Sequence, residues 1–310
     1  MASSRRGRSV SASRRIPSSL ARFWKTTHAP DYAGLLLLLI AWILVAKLVT
    51  PFHRMFSIND LKISFPHAVH ERVPVPMVLV YAFLVPLGVF IGYGLLYRPS
   101  VAKLEVTFLS FVVAAVLTGF LTDVVKNAVG RPRPDLLDRC RPAPNTQPNV
   151  LVTIDVCTTP GDNSLHDGWR SFPSGHSSFS FAGLGFLSLF LAGQLRLFCY
   201  AAGGRDLTRA LLCMLPLVGA LLIAISRCED YRHDVYDVCV GSALGMTVAY
   251  WSYRRHWPSL SSPECHEPYP RPGSEAKTRW SRVRDEEEAG AHAVSGYELT
   301  HVRATDRAVN

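Results

Sequence analysis

Six long apolar runs restrict what this 310-residue chain can fold into. They cover residues 34–49, 75–96, 106–125, 179–195, 210–225 and 235–251. A helix needs roughly 20 consecutive, mostly apolar residues to cross a bilayer. A single run of this kind could be a buried helix of a large soluble protein, but six runs in one chain favour a polytopic membrane protein. We therefore predict an all-α fold class with six transmembrane helices.

Charge divides the chain into three parts. The first thirty residues hold seven basic residues and no acidic one, which accounts for most of the formal net charge of +9. Residues 253–310 carry nine basic and nine acidic residues and lack apolar periodicity. These patterns predict a disordered basic cytosolic tail over 1–30, a six-span domain over 31–255 and a disordered cytosolic tail over 256–310. A mitochondrial presequence is an alternative interpretation of the N-terminal serines and arginines.

The orientation follows from the number of spans and from the N-terminal charge. An even number of spans puts both tails on one side, and the basic tail before the first span places that side in the cytosol. The loops argue against this rule, because those on the outer side contain more basic residues than those on the inner side. The excess of basic residues in the outer loops therefore needs a cause other than orientation. The nearly neutral middle of the chain also argues against a nucleic-acid partner.

Polar and charged residues gather at the ends of four runs. The three clusters, in chain order, are Lys126 with Arg133, then Ser174, Gly175 and His176, then Arg227 with His233 and Asp237. They fall at the end of span three, the start of four, the end of five and the start of six. All of them therefore lie at the same membrane face. Polar residues at membrane depth are costly and usually functional.

The cations in these clusters point to an anionic ligand. Lys126, Arg133 and Arg227 would repel one another unless an anion lay among them, and the arginine fork matches phosphate oxygens. The sequence from Pro173 to Gly175 is typical of a helix start, where free backbone N–H groups bind anions. A phosphate site is the simplest interpretation.

The acid and histidine residues add reactive groups to that site. His233 and Asp237 are four residues apart and would share one helix face, so the carboxylate can hold one imidazole nitrogen and leave the other free to attack. His176 is a second imidazole that can donate a proton. A metal site built from the same residues is an alternative, but the surrounding cations would repel a divalent ion. We predict no metal and no cofactor.

Each motif also has a purely structural explanation. Basic residues at span ends often anchor helices at the interface, and Pro-Ser-Gly often forms only a turn. Taken together, however, three motifs resemble in order and spacing the signature of the type 2 phosphatidic acid phosphatases, or lipid phosphate phosphatases: Lys126-x6-Arg133-Pro134, Pro173-Ser174-Gly175-His176 and Ser226-Arg227-x5-His233-x3-Asp237. The resemblance covers about residues 30–255. Residues 57–76 look like the fungal diacylglycerol pyrophosphate phosphatase-like branch.

The resemblance implies Mg²⁺-independent hydrolysis of lipid phosphate monoesters or pyrophosphates through a phosphohistidine. Phosphatidate, lysophosphatidate and diacylglycerol pyrophosphate are the implied substrates. His233 would be the nucleophile, Asp237 its support and His176 the proton donor to the leaving group. The implied phosphate-binding residues are Lys126, Arg133, Ser174, Gly175 and Arg227.

The same resemblance implies a membrane-embedded protein that meets its phospholipid substrate in the bilayer. The site would face the lumen or the exterior, in the vacuole, the endoplasmic reticulum and Golgi, or the plasma membrane. Cys140 and Cys157 are candidates for a disulfide in such an oxidising compartment, with Cys228 as a competing partner. Closing a loop of that size contributes on the order of 3 kcal/mol.

Other functions fit parts of the pattern. Polyisoprenyl pyrophosphate, sphingoid base phosphate or a sugar phosphate could replace the glycerolipid as substrate. The two long tails suggest a non-catalytic lipid-binding scaffold or a transporter, whereas the intact His176, His233 and Asp237 oppose it. The oligomeric state does not follow from the sequence.

Overall fold

The computed structural model of the protein describes Trp24 and residues 27–159, 163–199 and 206–270. Residues 34–269 form one compact unit. The helices are α1 (Ala29–Leu48), α2 (Val75–Tyr97), α3 (Val101–Val129), α4 (Leu136–Cys140), α5 (Asn163–Asp167), α6 (Gly175–Gln194), α7 (Leu207–Glu229) and α8 (Val235–Arg254). Two 3-10 turns cover Leu61–Ile63 and Ile154–Val156. No strand forms among the described residues, where extended pairing is limited to isolated bridges.

The predicted all-α fold is confirmed, and each of the six apolar runs is helical for all or nearly all of its length. Five helices, α1, α2, α3, α6 and α7, are long and apolar enough to cross a membrane. The sixth run forms α8, which has 20 residues but is not among those five. Its polar residues include Asp237 and Arg254. The sixth span therefore stays a prediction.

The helices expose apolar side chains where a soluble protein would not. The first transmembrane candidate, α1, has no buried residue. Helix α7 leaves Leu212, Leu215 and Leu222 exposed by half or more of their surface. Contiguous apolar surface of this kind marks contact with a membrane or a partner.

Proline and glycine set the contact between α2 and α6. Pro86 has no N–H, so the carbonyl of Ala82 loses its helical donor, and α2 contains a π-helical stretch over Val80–Leu84. The carbonyl of Ala82 approaches α6 so closely that a Cβ on Gly183 would lie 1.8 Å from its oxygen. Only glycine fits at that position of α6.

Helices α6 and α8 pack with the same close approach. A Cβ on Gly241 would lie 2.6 Å from the carbonyl oxygen of Ser174, and one on Gly245 would lie 2.0 Å from that of Ser178. Glycines four residues apart on one helix face allow two backbones to touch. This contact fixes the start of α6 against the start of α8, where the second and third polar clusters lie.

The other end of the bundle holds an aromatic core. Its rings come from α2, α3, α6 and α8 and pack edge-to-face or stacked, with Phe90 at 5.1 Å from Phe190 and 5.2 Å from Phe111 between ring centroids. Trp257 stacks on Tyr253 at 5.6 Å, and both are fully buried. Helix α6 is therefore held by apolar packing in its second half and by glycine contacts in its first half.

The C-terminal boundary differs from the predicted one. Residues 256–269, expected to belong to the disordered tail, belong to the compact unit. Trp257 and Cys265 are fully buried there, and the backbone N–H of Tyr269 donates to the carbonyl of His256 at 2.8 Å. Tryptophan adds apolar area that favours packing over solvation. Of the predicted tails, residues 1–23, 25–26 and 271–310 lie outside the described residues.

A cap covers the polar end of the bundle, and we define it as residues 52–72, 130–159 and 163–172. Gly130 ends α3 with a φ of +57°, and a Cβ there would overlap the carbonyl of Phe52 at 1.8 Å. The cap has its own apolar cluster, in which Trp169 and Leu136 are fully buried. Cys140 and Cys157 form a disulfide in it, with a Cα–Cα distance of 4.6 Å.

Replacing Gly245 by Ala tests the contact between α6 and α8. The added methyl must displace the backbone at Ser178, so we expect the free energy of unfolding to fall by about 1–3 kcal/mol. Gly92→Ala is the matched control, because a Cβ at Gly92 meets nothing within 4 Å. Alanine there improves helix propensity by up to about 1 kcal/mol. Thermal unfolding in detergent measures both, and equal stability of the two variants would contradict the prediction.

Candidate active site

The first and second predicted clusters are adjacent. Lys126 lies in the last turn of α3, and its Nζ donates a hydrogen bond to the carbonyl of Arg170 at 2.7 Å. A Cβ on Gly175 would lie 3.6 Å from Cε of Lys126. The start of α6 therefore lies beside the lysine side chain.

Ser174 is the N-cap of α6. Its Oγ accepts hydrogen bonds from the backbone N–H of Ser177 at 3.4 Å and from the Ser177 hydroxyl at 2.9 Å. Its own backbone N–H donates to the carbonyl of Asp237 at 2.9 Å. The serine thus caps one helix and joins it to the first turn of α8.

Arg133 connects the cap to the third cluster. Its Nε donates to the carbonyl of Asp167 at 2.9 Å, and one terminal nitrogen donates to the carboxylate of the same residue at 2.9 Å. The other terminal nitrogen is 3.4 Å from the carbonyl of Arg232, directly before His233. The guanidinium is nearly buried next to the histidine.

Arg227 is also buried, with 1% of its side chain exposed. Its terminal nitrogens pair with Glu71 at 2.8 Å and with Asp230 at 2.6 Å. Its carbonyl accepts the backbone N–H of His233 at 3.3 Å. The end of α7 thereby positions the loop that carries the histidine.

These contacts bring all eight predicted site residues to one end of the helix bundle. His233 and Asp237, however, are not arranged as expected. Helix α8 begins with Asp234 as its N-cap, so His233 precedes the helix and does not lie on its first turn. The Nδ1 of His233 is 3.7 Å from the nearer oxygen of Asp237, which is too long for a hydrogen bond.

Asp237 instead has three other partners. It accepts hydrogen bonds from Arg131 at 2.8 Å, from the Ser171 hydroxyl at 2.6 Å and from the backbone N–H of Asp234 at 3.1 Å. The last of these completes a capping box at the start of α8. The carboxylate is fully buried and pairs with a guanidinium from the cap.

Arg131 and Ser171 were missed as site residues in the sequence, although a signal was present for the arginine. Arg131 lies in the same Arg-Pro-Arg-Pro segment as Arg133, on a turn that proline prevents from continuing α3. Spacing alone did not say which of the two arginines would face the carboxylate. The structure separates them, because Arg131 pairs with Asp237 and Arg133 with Asp167.

Glu71 is a further residue that was not predicted. Its carboxylate bridges Arg227 and Arg232 and lies 3.8 Å from Nε2 of His176. The same nitrogen of His176 is 3.0 Å from the carbonyl of Val73. The signal for Glu71 was an acidic residue in the loop before α2, at the same face as the cations. The loop places a negative charge beside the second imidazole.

Electrostatics keep the site groups in defined charge states. Burial opposes ionisation of Asp167, but Arg133, Arg139, Lys126 and Arg170 outweigh it and lower its pKa to about 2. This carboxylate is therefore charged at any physiological pH and holds Arg133 in place.

The surroundings of His233 favour its neutral form. Burial lowers its pKa well below the ordinary value, and Arg133, Lys126 and His176 lower it further. The imidazole is neutral at neutral pH. Its Nδ1 has no hydrogen-bond partner among the described residues. A neutral ring held beside cations can act as a nucleophile toward an anionic group.

A cavity of about 750 Å³ opens between the cap and His233. Its wall carries the basic residues Arg54, Lys62 and Arg131 together with apolar side chains such as Phe65 and Tyr231. The cavity is large enough for a polar headgroup and for water. It gives His233 access to the aqueous side.

Apolar helices of membrane-spanning length, with buried cations and two imidazoles at one end, define an integral membrane protein whose charged groups converge at one end of its helices. Comparison with known proteins agrees. The PAP2 superfamily model matches residues 107–260. The chain is 45% identical to "Diacylglycerol pyrophosphate phosphatase 1" of Saccharomyces cerevisiae, over 69% of this chain and 74% of that protein.

Two further relatives extend the match. "Probable diacylglycerol pyrophosphate phosphatase 1" of Schizosaccharomyces pombe is 40% identical, over 77% of this chain and 84% of that protein. "Lipid phosphate phosphatase 2" of Arabidopsis thaliana is 35% identical, over 81% of this chain and 83% of that protein. No solved structure is found to match the chain. The chain belongs to the PAP2 superfamily, and the family resemblance seen in its motifs is confirmed.

Arg131→Ala tests the support of Asp237. The change leaves a fully buried carboxylate without its cation. Because Arg131 is itself 30% exposed and Ser171 and Asp234 still donate to the carboxylate, we expect a loss of about 1–3 kcal/mol. Arg209→Ala is the control, because its partner Asp206 and the arginine are 48% and 42% exposed. An exposed pair contributes about 0–1 kcal/mol. Chemical unfolding in detergent compares the two, and a loss for Arg131→Ala no larger than that of the control would refute the role.

Proposed function

We propose that the protein hydrolyses lipid phosphate monoesters or pyrophosphates through a phosphohistidine on His233, without Mg²⁺. The observation that carries the proposal is the meeting of three buried cations and two imidazoles at the polar end of membrane-spanning helices. The names of the relatives support the substrate class, since they are diacylglycerol pyrophosphate and lipid phosphate phosphatases. Diacylglycerol pyrophosphate, phosphatidate and lysophosphatidate are the proposed substrates.

The reaction has two steps. In the first, a ring nitrogen of neutral His233 attacks phosphorus, the bond from phosphorus to the leaving oxygen breaks, and His176 transfers a proton to that oxygen. In the second, water attacks the phosphohistidine, its proton passes to His176, the P–N bond breaks and inorganic phosphate leaves. That proton replaces the one His176 gave up in the first step, so the site is restored.

The cations supply the main stabilisation. Negative charge spreads over the phosphoryl oxygens in the transition state, and preformed positive groups stabilise it most in a site shielded from water. Lys126, Arg133 and Arg227 are all buried at this site. We assign phosphate binding to these three together with the helix start at Ser174 and Gly175.

Asp237 acts on His233 across 3.7 Å without a hydrogen bond. Positive charge develops on the imidazole as its nitrogen bonds to phosphorus, and a nearby carboxylate stabilises that charge. Since Nδ1 faces Asp237, Nε2 is the attacking atom. Arg131 and Ser171 hold the carboxylate in place and so act as positioning residues.

The location of the site suits a lipid substrate. A lipid phosphate presents its headgroup at the height where the helices emerge from the bilayer, so the acyl chains can stay in the membrane during the reaction. We propose that both tails are cytosolic and that the site faces the lumen or the exterior. The disulfide between Cys140 and Cys157 supports this side, because disulfides persist in oxidising compartments.

The histidine roles predict the outcome of two substitutions. His233→Ala and His176→Ala should each abolish phosphate release from diacylglycerol pyrophosphate or phosphatidate in EDTA, while expression and membrane insertion stay normal. His70→Ala is the control, since this histidine is exposed in the cap and should leave activity unchanged.

A panel with polyisoprenyl pyrophosphate and sphingoid base phosphate in the same mixed micelles then ranks the substrates. Release retained by both variants would exclude the histidine mechanism. No release from any lipid phosphate by the purified wild-type protein would favour a scaffold or transporter.

The electrostatics of His233 predict the pH dependence of phosphohistidine formation. Because the pKa of His233 is lowered, the neutral, reactive form persists below pH 6.5 and disappears only at more acidic pH. Arg133→Gln removes a neighbouring positive charge, so the pKa should rise and the acid limb should move to higher pH. Rapid-quench trapping of the phosphoenzyme measures the limb in both proteins.

The substrate titrates equally with either protein, so the difference between the limbs reports the enzyme. Arg209→Gln, on an exposed pair at the other end of the bundle, should leave the limb in place. An unmoved limb in Arg133→Gln would contradict the assignment of His233 as the titrating group.

A further inference from the structure

An apolar groove of about 750 Å³ lies between α2, α6 and α7. Three leucines of α6 and Leu195, its C-cap, line it at spacings of three or four residues, so that they form one helix face. Val85 and Val89 form the opposite wall on α2. The leucines are Leu184, Leu187, Leu191 and Leu195.

One end of this groove reaches the candidate active site. Val73 lines the groove, and its carbonyl is 3.0 Å from Nε2 of His176. Ile223 also lines it, one helical turn before Arg227 on α7. The groove is therefore continuous with the side of the site that holds the proposed proton donor.

The length of the groove suits a lipid chain. Along α6, at 1.5 Å per residue, Leu184 lies about 12 Å and Leu195 about 29 Å from His176. Since a hydrocarbon core is roughly 30 Å thick, the groove extends from the site past the middle of the bilayer. An acyl chain whose headgroup is at the site therefore reaches the near part of the groove, where Val73, Ile223 and Leu184 lie.

The chemistry of the reaction says which part of the substrate lies on this side. The attacking and leaving oxygen or nitrogen atoms lie roughly in line through phosphorus, so the leaving group is opposite His233. Hydrolysis of diacylglycerol pyrophosphate releases phosphatidate, and hydrolysis of phosphatidate releases diacylglycerol. In both reactions the leaving group carries the acyl chains, so they must emerge on the His176 side.

We propose that the groove between α2, α6 and α7 binds an acyl chain of the substrate and thereby directs the leaving oxygen toward His176. Once the leaving group has departed, the water that releases phosphate attacks from the same His176 side, in line with the P–N bond. This inference rests on the proposed function and adds a chain-binding site to it. It predicts that activity depends on acyl chain length.

Gly219→Leu tests the site by filling the groove. A Cβ at Gly219 meets only Leu184, at 3.7 Å, so the backbone tolerates a side chain, and the remaining atoms of leucine extend into the groove. Gly88→Leu is the matched control, because Gly88 lies on α2 with nothing within 4 Å of its Cβ and does not line the groove. Both changes add the same apolar side chain to a transmembrane helix.

The measurement is kcat/KM for dioleoyl and dioctanoyl diacylglycerol pyrophosphate in mixed micelles, and for the water-soluble ester glycerol 3-phosphate. We expect Gly219→Leu to lower the value for the dioleoyl substrate by about tenfold or more relative to the dioctanoyl one. Glycerol 3-phosphate hydrolysis should be unchanged, and Gly88→Leu should match the wild type throughout. An unaltered chain-length profile in Gly219→Leu would overturn the proposal.

A second measurement does not depend on turnover. His233→Ala protein in micelles is photolabelled with phosphatidate that carries a diazirine within one acyl chain, and the labelled peptides are identified. Label in α7, reduced by Gly219→Leu and not by Gly88→Leu, supports the groove. Label that Gly219→Leu does not change overturns it.

The two experiments distinguish a failure of the proposed function from a failure of the acyl-chain site. If the wild type hydrolyses no lipid phosphate but α7 is labelled, the proposed function fails and the chain site stands. If the wild type is active with an unaltered profile in Gly219→Leu, the chain site fails and the function stands. A change of oligomeric mass in Gly219→Leu together with an unaltered profile identifies a second copy of the chain as the occupant.

Discussion

Burying several cations at one end of an apolar helix bundle is possible only if carboxylates are buried beside them. Removing a charge from water costs several kcal/mol per ion unless it is paired and hydrogen-bonded. Here Arg227 pairs with Glu71 and Asp230, Arg133 with Asp167, and Arg131 with Asp237. Glu71 and Asp167 come from the cap, Asp230 from the loop before α8 and Asp237 from the first turn of α8. Since Arg131 and Arg133 are also cap residues, the cap is required for the charge state of the bundle end.

The ion pairs also couple the site to the cap beyond it. Glu71 joins Arg227 to Arg232, Arg232 approaches Asp135, and Asp135 binds Arg139 and His67. Arg139 is next to Cys140, whose disulfide closes the cap. A network in which signs alternate stabilises each member and allows a net positive centre for a phosphate. The basic residues of these loops, whose number the orientation rule did not explain, are thus used in and around the site.

Apolar contacts decide how closely the reactive groups approach. Gly241 and Gly245 allow α8 to touch α6, which sets Ser174 against Asp237, and Gly183 leaves room for the Ala82 carbonyl of α2. The same arrangement leaves a groove between α2, α6 and α7 that ends beside His176. Backbone packing and the lipid-facing surface are therefore linked to the chemistry through a few small residues.

The amino-acid pattern alone was sufficient for the all-α class, the positions of the helices and the convergence of Lys126, Arg133, His176 and Arg227 at one face. These features depend on local composition and on counting spans, because a run of apolar residues can only be helical in a bilayer. The sequence did not predict which side chains pair with one another, because the pairs depend on where separate loops meet. The structure alone shows that His233 precedes α8, that Arg131 and Ser171 hold Asp237, and that Glu71 lies beside His176, because those contacts join residues about 60 to 160 positions apart in the chain.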